Sequence, residues 1–445
     1  LIGPHFPIFC FEIVFGARNK KKVMPAFRPK FICTLFLLVT ILPALVLVDK
    51  AKAGPHLVFD YQTGRVYSQS DAFDRWYPAS LTKMMTAYTV FREIKAGRLS
   101  GLSPVKISEY ALSQPPSKMG FPVGTVLNMD AAIKIILVKS ANDIATAIAE
   151  SSAGSVDAFA ALMNKYAREI GMNNSNFVNP HGLFDERQYT SAYDLGLLAR
   201  RIYQEFPKEA SYFAIPAIKV GKRTLQNHNA LIQRYPGTIG MKTGFVCAAG
   251  LNIVVSAKVR GKTLITVVLG GKTGRERNIE AARLLTSAST RSFSFTLPKL
   301  DTIKPQRPIR QPVDMREQVC GKKKTGDSEE DEAANLHAIK QPSLDELEAK
   351  YLLPKGSNTR VVAVELGNAT GPDPFHLVTP APETATALAI NDQSGETRPA
   401  LATANLFNAP DTMQNASVIS GPVEPKIFTL SGGLKVTIPI ARPLR

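Results

Sequence analysis

The sequence predicts an α+β protein in which one antiparallel sheet lies beside a largely helical part. Three observations point there. A strand–turn–strand pattern opens the apolar body near His56, helical periods fill the stretch from Ser80 to about Ile202, and strands return between Ile218 and Leu269 before a last helix. Segregated runs of this kind, rather than strands and helices in alternation, favour a mixed sheet-and-helix plan over a parallel α/β one.

The elements follow in order. Leu57-Val58-Phe59 and Val66-Tyr67 flank a turn containing Thr63-Gly64, the pattern of a hairpin. Pro78 and Ala79 approach a helix whose apolar period runs through Phe91 to Gly97. Asp130 is placed to cap a helix through Val138, a loop carrying Ser140 and Asn142 follows, and a further helix runs to Ser151. Ser155 caps a helix with Phe159, Leu162, Tyr166 and Ile170 in register, and Gly171 stops it. Thr190 or Ser191 caps the next, through Leu195, Leu198 and Ile202. Strands at Ile218-Lys219-Val220 and Thr224-Leu225 meet at Gly221. A strand holding Lys242 comes next, then Leu251 to Val259 and Leu264 to Leu269 with Arg260-Gly261 as their turn. A helix from Arg275 to about Ser289 closes the unit.

The flanks differ in character. Lys20-Lys21-Lys22, Arg28 and Lys30 precede an apolar run from Phe31 to Val48, and Ala51-Lys52-Ala53 stands before Gly54, the layout of a secretory signal. Met24 is a more natural start than Leu1, so residues 1–23 read as a misplaced start. The run, about 18 residues, is also long enough to stay as an uncleaved anchor; Pro43 and the Ala-x-Ala exit favour cleavage. Beyond Pro298, prolines 305, 308 and 312 interleave with Lys and Arg as in an extended linker. Ser343 and Glu346 form a capping box for a short helix ending before Pro354. Strand signals at Val361 to Val364 and Ile427 to Ile438 are weak. The expected domains are therefore 1–53, an N-terminal extension and signal peptide; 54–298, the catalytic domain; and 299–445, a linker and low-complexity, mostly disordered tail. That tail has few apolar clusters to offset the entropy of ordering it.

The 445 residues carry 54 Lys and Arg against 37 Asp and Glu, a net charge of +17. Such an excess suits weak contact with anionic membranes or acidic wall polymers. Nucleic acid is not expected, because no basic stripe interleaves with aromatics and no recognition module is visible. The four cysteines are Cys10, Cys33, Cys247 and Cys320. Two lie in the segment expected to be removed, and Cys320 sits in a charged stretch far from Cys247. No native pair, disulfide framework or metal site is expected, and Cys247 reads as a small residue packed beside the site. No cofactor is expected.

The chemistry centres on Ser80-Leu81-Thr82-Lys83. Residues three apart share a helix face, so the Ser80 hydroxyl and Lys83 amine point the same way. The hydroxyl then lies at the positive end of the helix dipole. A serine is a weak nucleophile until a base takes its proton, and a neutral amine one turn away can do so. One Ser-x-x-Lys alone reads as readily as a capping serine beside a solvated lysine. Two further strings alter that reading: Ser140-Ala141-Asn142 supplies Ser-x-Asn, and Lys242-Thr243-Gly244 supplies Lys-Thr-Gly. This ordered trio resembles the signature of the serine–lysine acyltransferases.

Longer strings are more specific. Asn179-Pro180-His181-Gly182-Leu183, Thr190-Ser191-Ala192-Tyr193-Asp194-Leu195 and Lys242-Thr243-Gly244-Phe245 resemble those of D-alanyl-D-alanine carboxypeptidases of the low-molecular-mass penicillin-binding-protein type, over about residues 54–290. The resemblance implies the β-lactamase/transpeptidase-like fold, a five-stranded antiparallel sheet flanked by helices beside an all-helical region, with the site in the cleft between. It implies removal of the terminal D-Ala from peptidoglycan stem peptides, in the periplasm or elsewhere in the cell envelope, and covalent inhibition by β-lactam antibiotics.

The same resemblance implies roles. Ser80 is the nucleophile and Lys83 its general base, which requires an amine held well below the ordinary value of about 10.4 by burial and by the cation Lys242. Ser140 relays the proton to the leaving D-Ala, and Asn142 binds the substrate amide and restrains Lys83. Lys242 and Thr243 hold the terminal carboxylate, and Gly244 lets the strand approach the substrate. The Ser80 and Phe245 N–H groups form the oxyanion hole. His181 and His228 read as structural. The tail departs from relatives with a β-rich second domain and a C-terminal amphipathic helix, for Pro439 and Pro443 interrupt the last stretch.

The rivals are a β-lactamase, a wall endopeptidase or transpeptidase, and a non-catalytic penicillin- or wall-binding module. The intact set Ser80, Lys83, Ser140, Asn142 and Lys242 opposes the last. A β-lactamase of the fast-deacylating kind needs a water-activating glutamate, and Glu169-Ile170-Gly171-Met172-Asn173 offers the string. Glu169, however, ends a helix whose apolar face points elsewhere, so it is expected in solvent, away from Ser80.

Overall fold

The computed structural model describes residues 54–292, 294, 296–321, 342–354, 356, 360–376, 426–429 and 435–438. The hairpin comes first, β1 (His56–Asp60) with β2 (Val66–Ser70). A 3-10 turn, Ala79–Leu81, runs directly into α1 (Thr82–Lys95). The helical part then interleaves with a small strand pair: β3 (Pro104–Lys106), α2 (Glu109–Ser113), β4 (Val126–Asn128), α3 (Met129–Val138), α4 (Asn142–Ala153), α5 (Val156–Glu169) and α6 (Ala192–Glu205). Next are β5 (Ala217–Val220), β6 (Arg223–Gln226), α7 (Leu231–Arg234), β7 (Thr238–Val246), β8 (Gly250–Val259), β9 (Lys262–Gly271) and α8 (Gly274–Thr290).

The main sheet has the order β2-β1-β9-β8-β7, antiparallel throughout, so the N-terminal hairpin docks on the last strand and β7 is left at an edge. Successive side chains on a strand face opposite ways. Leu57, Phe59, Ile265, Val267 and Leu269 accordingly join the core shared with Met84, Met85 and Leu198 of the helical part. Val58, Leu264 and Val268 face the other way, onto Ile279 and Leu285 of α8. This is the expected α+β plan, with the sheet buried on both faces.

Local signals were met closely, with one change. Ser155 and Ser191 cap α5 and α6, accepting from Ala158 N at 3.1 Å and Asp194 N at 3.0 Å. The cap of α3 is Asn128, not Asp130: its side chain accepts from Ala131 N at 2.8 Å. Asp130 sits in the first turn instead and pairs with Lys134 at 2.5 Å.

The reading of residues 299–445 as a stretch without a core is corrected for part of its length. Leu300 and Ile303 are buried, and Leu300 N donates to Gly64 O at 2.8 Å. Arg307 and Arg310 fork onto Asp71 and Asp74 at 2.5 to 3.1 Å. A short helix, α9 (Arg316–Val319), ends beside Cys320. A longer one, α10 (Pro342–Tyr351), puts Glu348 against Arg234 and Arg275 at 2.7 and 2.5 Å. It begins at Pro342; the expected Ser343–Glu346 capping box rests on a side chain outside those described. The strand β10 (Val361–Ala363) then adds to β5 in parallel, and the chain passes Asn128, whose amide donates to Glu365 O and Gly367 O. The anchors are single residues far apart, each filling a gap in a surface already formed, so they leave no period of their own. Farther on, β11 (Lys426–Thr429) and β12 (Lys435–Ile438) pair antiparallel.

The expectation of unpaired cysteines is also overturned. Cys247 and Cys320 form a disulfide across 73 residues, with Cα atoms 5.7 Å apart. The charged stretch around Cys320 is drawn to the sheet by Met315, which is buried and whose N–H donates to Ala248 O at 3.1 Å. Cys10, Cys33 and the expected signal segment lie outside the described residues. Among those described, no helix is long and apolar enough to cross a membrane.

Candidate active site

The turn that carries Ser80 is shaped from three sides. Ser80 lies in the 3-10 turn and follows Ala79, whose φ of 48° is left-handed, a strained setting for a residue with a side chain. Asn252 of β8 steadies the approach, donating to Tyr77 O at 3.0 Å and accepting from Gly270 N at 2.9 Å. Two glycines clamp the turn. A Cβ on Gly182, at φ 92°, would stand 1.9 Å from Ala79 O, and one on Gly244 would stand 3.0 Å from Ser80 N. Gly244 therefore gives the strand room against the backbone of Ser80 itself, a tighter demand than the expected approach of substrate.

Lys83 is fully buried. Its Nζ lies 2.9 Å from Ser80 Oγ, 2.8 Å from Asn142 Oδ1 and 2.7 Å from His181 O. The last two atoms only accept. An uncharged amine donating to both presents its lone pair to the Ser80 hydroxyl. Asn142 is fixed in turn, its Nδ2 donating to Pro115 O at 3.0 Å and its backbone N–H to Ser117 O at 2.7 Å. Asp143 holds the loop before it by accepting from Met119 N at 3.0 Å and Gly120 N at 2.8 Å. Ser140 has φ 64° and is fully buried; its Oγ has no hydrogen-bond partner among the described residues. Ser80, Ser140, Asn142 and Phe245 line one small cavity with Ser117, Leu183 and Val246.

The remaining expected residues lie on β7. Lys242 and Gly244 pair with Val254 and Asn252 of β8, which puts both on the sheet face that meets the Ser80 turn. Lys242 is buried and donates to Thr243 O at 2.9 Å. Thr243 Oγ1 is buried without a hydrogen-bond partner among the described residues.

The two histidines make structural contacts. His228 Nε2 stands 3.2 Å from Lys139 O. His181 is buried, and burial together with the Lys83 charge holds its imidazole well down, at about 3. Its Nδ1 accepts from Leu183 N at 3.1 Å. What reaches Lys83 is the His181 carbonyl, delivered by a loop pinned where Thr86 Oγ1 donates to Pro180 O at 2.6 Å. Sequence reasoning missed that carbonyl, and Pro115, Ser117 and Asn252 with it. Backbone acceptors leave no mark in residue type; the Asn179-Pro180-His181-Gly182 string was the available signal.

Comparison with known proteins agrees with this geometry. The model of the D-alanyl-D-alanine carboxypeptidase family matches residues 44–273. The chain belongs to that family. D-alanyl-D-alanine carboxypeptidase DacA of Escherichia coli K12 is 32% identical over 289 residues, 61% of this chain and 70% of that protein. DacA of Haemophilus influenzae is 35% identical over 238 residues, 52% of this chain and 61% of the relative, so this match spans less than two thirds of the relative's length. Among solved structures, D-alanyl-D-alanine carboxypeptidase DacD from Francisella tularensis superposes with a TM-score of 0.52 at 33% identity, over 54% of this chain and 71% of its own. Penicillin binding protein 5 from Haemophilus influenzae gives 0.51 at 34%, over 54% and 72%. The carboxypeptidase-family fold expected from the motifs, an antiparallel sheet with flanking helices and a helical region, is the fold observed.

The string that a β-lactamase would use is placed elsewhere. Glu169 ends α5, where its carboxylate meets Arg92 at 2.7 Å and Lys165 at 3.8 Å, with the side chain 39% exposed. Arg92 is nine residues beyond Lys83 on α1, about 13 Å along the helix.

Proposed function

We propose that this protein is a serine-type D-Ala-D-Ala carboxypeptidase, acting in the periplasm or elsewhere in the cell envelope. It removes the terminal D-alanine of peptidoglycan stem peptides and is acylated by β-lactams at the same serine. The observation that carries this reading is the Lys83 amine, 2.9 Å from Ser80 Oγ and turned toward it by two fixed acceptors.

Lys83 takes the Ser80 proton as Oγ attacks the carbonyl of the penultimate D-Ala. The developing oxyanion is met by the Ser80 and Phe245 N–H groups, whose mutual approach Gly244 permits. Ser140 passes the proton to the departing D-Ala nitrogen, the C–N bond breaks, and the ester on Ser80 remains. Water then attacks that ester, releasing the shortened peptide and returning the proton to Ser80. Lys242 and Thr243 grip the terminal carboxylate by charge and hydrogen bond, while Asn142 positions the substrate amide and Lys83. The catalytic body is residues 54–298, and the later segments that pack on it belong to the same folded unit.

Incubation with a pentapeptide ending in D-Ala-D-Ala should release one alanine, read by mass. Ser80→Ala should abolish both this release and covalent labelling by a fluorescent penicillin. Labelling of the variant at the wild-type rate would remove Ser80 from its role.

A further inference from the structure

Outside the Ser80 site, the protein holds a larger cavity of about 430 Å³ between the end of β2 and residues 304–309. That size lies within the roughly 300–1,000 Å³ of small-molecule pockets. Its lining balances in charge, with Lys304 and Arg307 set against Asp71 and Asp74. The two carboxylates are already paired: Arg307 reaches them at 2.5 and 2.6 Å, and Arg310 joins at 3.1 and 2.8 Å. The side chains of Gln69, Ser70, Lys304 and Gln306 also line the cavity, and they make no hydrogen bond or ion pair among the described residues. Phe73 completes the wall. Tyr193 stacks on it with ring centroids 4.5 Å apart, which fixes the ring.

A balanced lining with uncommitted carboxamides and a hydroxyl beside one ring does not answer a free ion. It suits an uncharged sugar, whose hydroxyl and acetamido groups both donate and accept, and whose C–H face can lie on an aromatic ring. The cavity also lies on the way to Ser80. Neighbours in the order β2-β1-β9-β8-β7 are all antiparallel, so β2 and β7 run the same way, and Ser70 and Val246 lie at one end of the sheet. From Ser70 the chain crosses that end to the Ser80 turn, tied down where Trp76 Nε1 donates to Ala249 O at 2.9 Å. Ser80 is six positions after Asp74, hence at most about 22 Å from it. With the substrate carboxylate at Lys242 and Thr243 and the reacting carbonyl at Phe245, the acyl part of the peptide leaves toward this same end. The four residues of a pentapeptide that precede the scissile bond span about 13 Å when extended, and the lactyl link and the sugar carry the substrate farther.

Resting on the carboxypeptidase reading, we propose that this second cavity is a glycan subsite. It holds an N-acetylated amino sugar of the strand that bears the stem peptide, while the D-Ala-D-Ala end lies at Ser80. Gln69 and Gln306 bind the hydroxyl and acetamido groups of the sugar, and Phe73 meets its C–H face.

The test compares kcat/KM on two substrates, a pentapeptide ending in D-Ala-D-Ala and the same pentapeptide carried on N-acetylglucosaminyl-N-acetylmuramic acid. The wild type should favour the second by about tenfold, mainly through a lower KM. The double variant Gln69→Ala, Gln306→Ala breaks no contact within the described residues, so it should melt with the wild type and stay within twofold of it on the bare peptide, while losing the preference. Equal use of both substrates by the wild type would overturn the proposal, as would a preference that survives in the double variant or an equal loss on both substrates. A second measurement uses the free disaccharide, read by saturation-transfer NMR, with signal expected from the wild type and not from the double variant. If the wild type releases alanine from neither substrate, the carboxypeptidase reading fails; the disaccharide signal would still uphold the sugar site, and its absence would overturn that site as well.

Discussion

Asn142 and Lys83 are locked to each other: the Asn142 Oδ1 accepts from the lysine amine at 2.8 Å, and its Nδ2 is committed to Pro115 O at 3.0 Å. The amide cannot turn over without setting two carbonyls face to face and an N–H₂ against the amine. Asn142→Asp keeps the shape and adds a negative charge beside Lys83, which favours the ammonium. The acid limb of the kcat/KM profile should move up by at least about one pH unit, with activity at pH 7 down roughly 10- to 100-fold and partly regained at pH 9. Asn142→Ala should lose activity without that displacement. An unmoved limb in Asn142→Asp would mean that Lys83 is not the titrating base.

The strings of the candidate site were legible because they are defined by residue type at short spacing. Ser80 and Lys83 are only three positions apart, and Lys242 to Phe245 follow one another on a single strand. The sheet was legible for a similar reason, since both faces of β8 and β9 are apolar. What stayed hidden depends on backbone atoms and on distant single anchors. Asn252 is one polar residue within an apolar strand, and its hold on Tyr77 O appears only in three dimensions. Met315 and Cys320 sit among charges, and nothing local tells that they reach Gly250 and Cys247.

Truncation separates the linker reading from the folded one. Ending the chain after Pro298 removes Leu300, Ile303 and Met315 from buried positions and leaves Cys247 without its partner. Each of the larger side chains contributes about 1.5–3 kcal/mol when buried. A chain ending at Pro298 should therefore melt at least several degrees lower than the full protein, with lower activity. One ending at His376 keeps these contacts and should match the full protein within a few degrees. Equal melting temperatures for all three would restore the linker reading.

His181 makes stability depend on pH in a defined sense. Its imidazole, held at about 3 by burial and by Lys83, takes a proton near 6.5 once unfolded. Between those values the unfolded chain binds more protons, so the stabilising contribution is complete above about pH 6.5. It is lost as pH falls, by up to about 1.4 kcal/mol per pH unit. His181→Asn removes the titration and keeps an acceptor for Leu183 N, since an Asn side chain readily accepts from the N–H two residues on. Melting curves from pH 8 to 4 should show the wild type falling more steeply than the variant below pH 6, and the two close together above pH 7.5. Parallel curves would mean that His181 titrates normally in the folded protein.

The lifetime of a penicillin adduct depends on whether any group activates water against the Ser80 ester. Glu169 has the right string for that task and the wrong place. Its carboxylate serves Arg92 and Lys165 at the surface, and Arg92 already lies about 13 Å along α1 from Lys83. An exposed pair of this kind contributes about 1 kcal/mol or less, so Glu169→Ala should fold with little loss. Both proteins, acylated with a fluorescent penicillin and chased with unlabelled drug, should release the label over minutes or longer and at the same rate. Nitrocefin turnover of many per second, lost in Glu169→Ala, would make the protein a β-lactamase. Slow release in both leaves Lys83 and Ser140 as the groups that handle protons in the cleft, sufficient for a leaving D-alanine and poor at hydrolysing a penicilloyl ester.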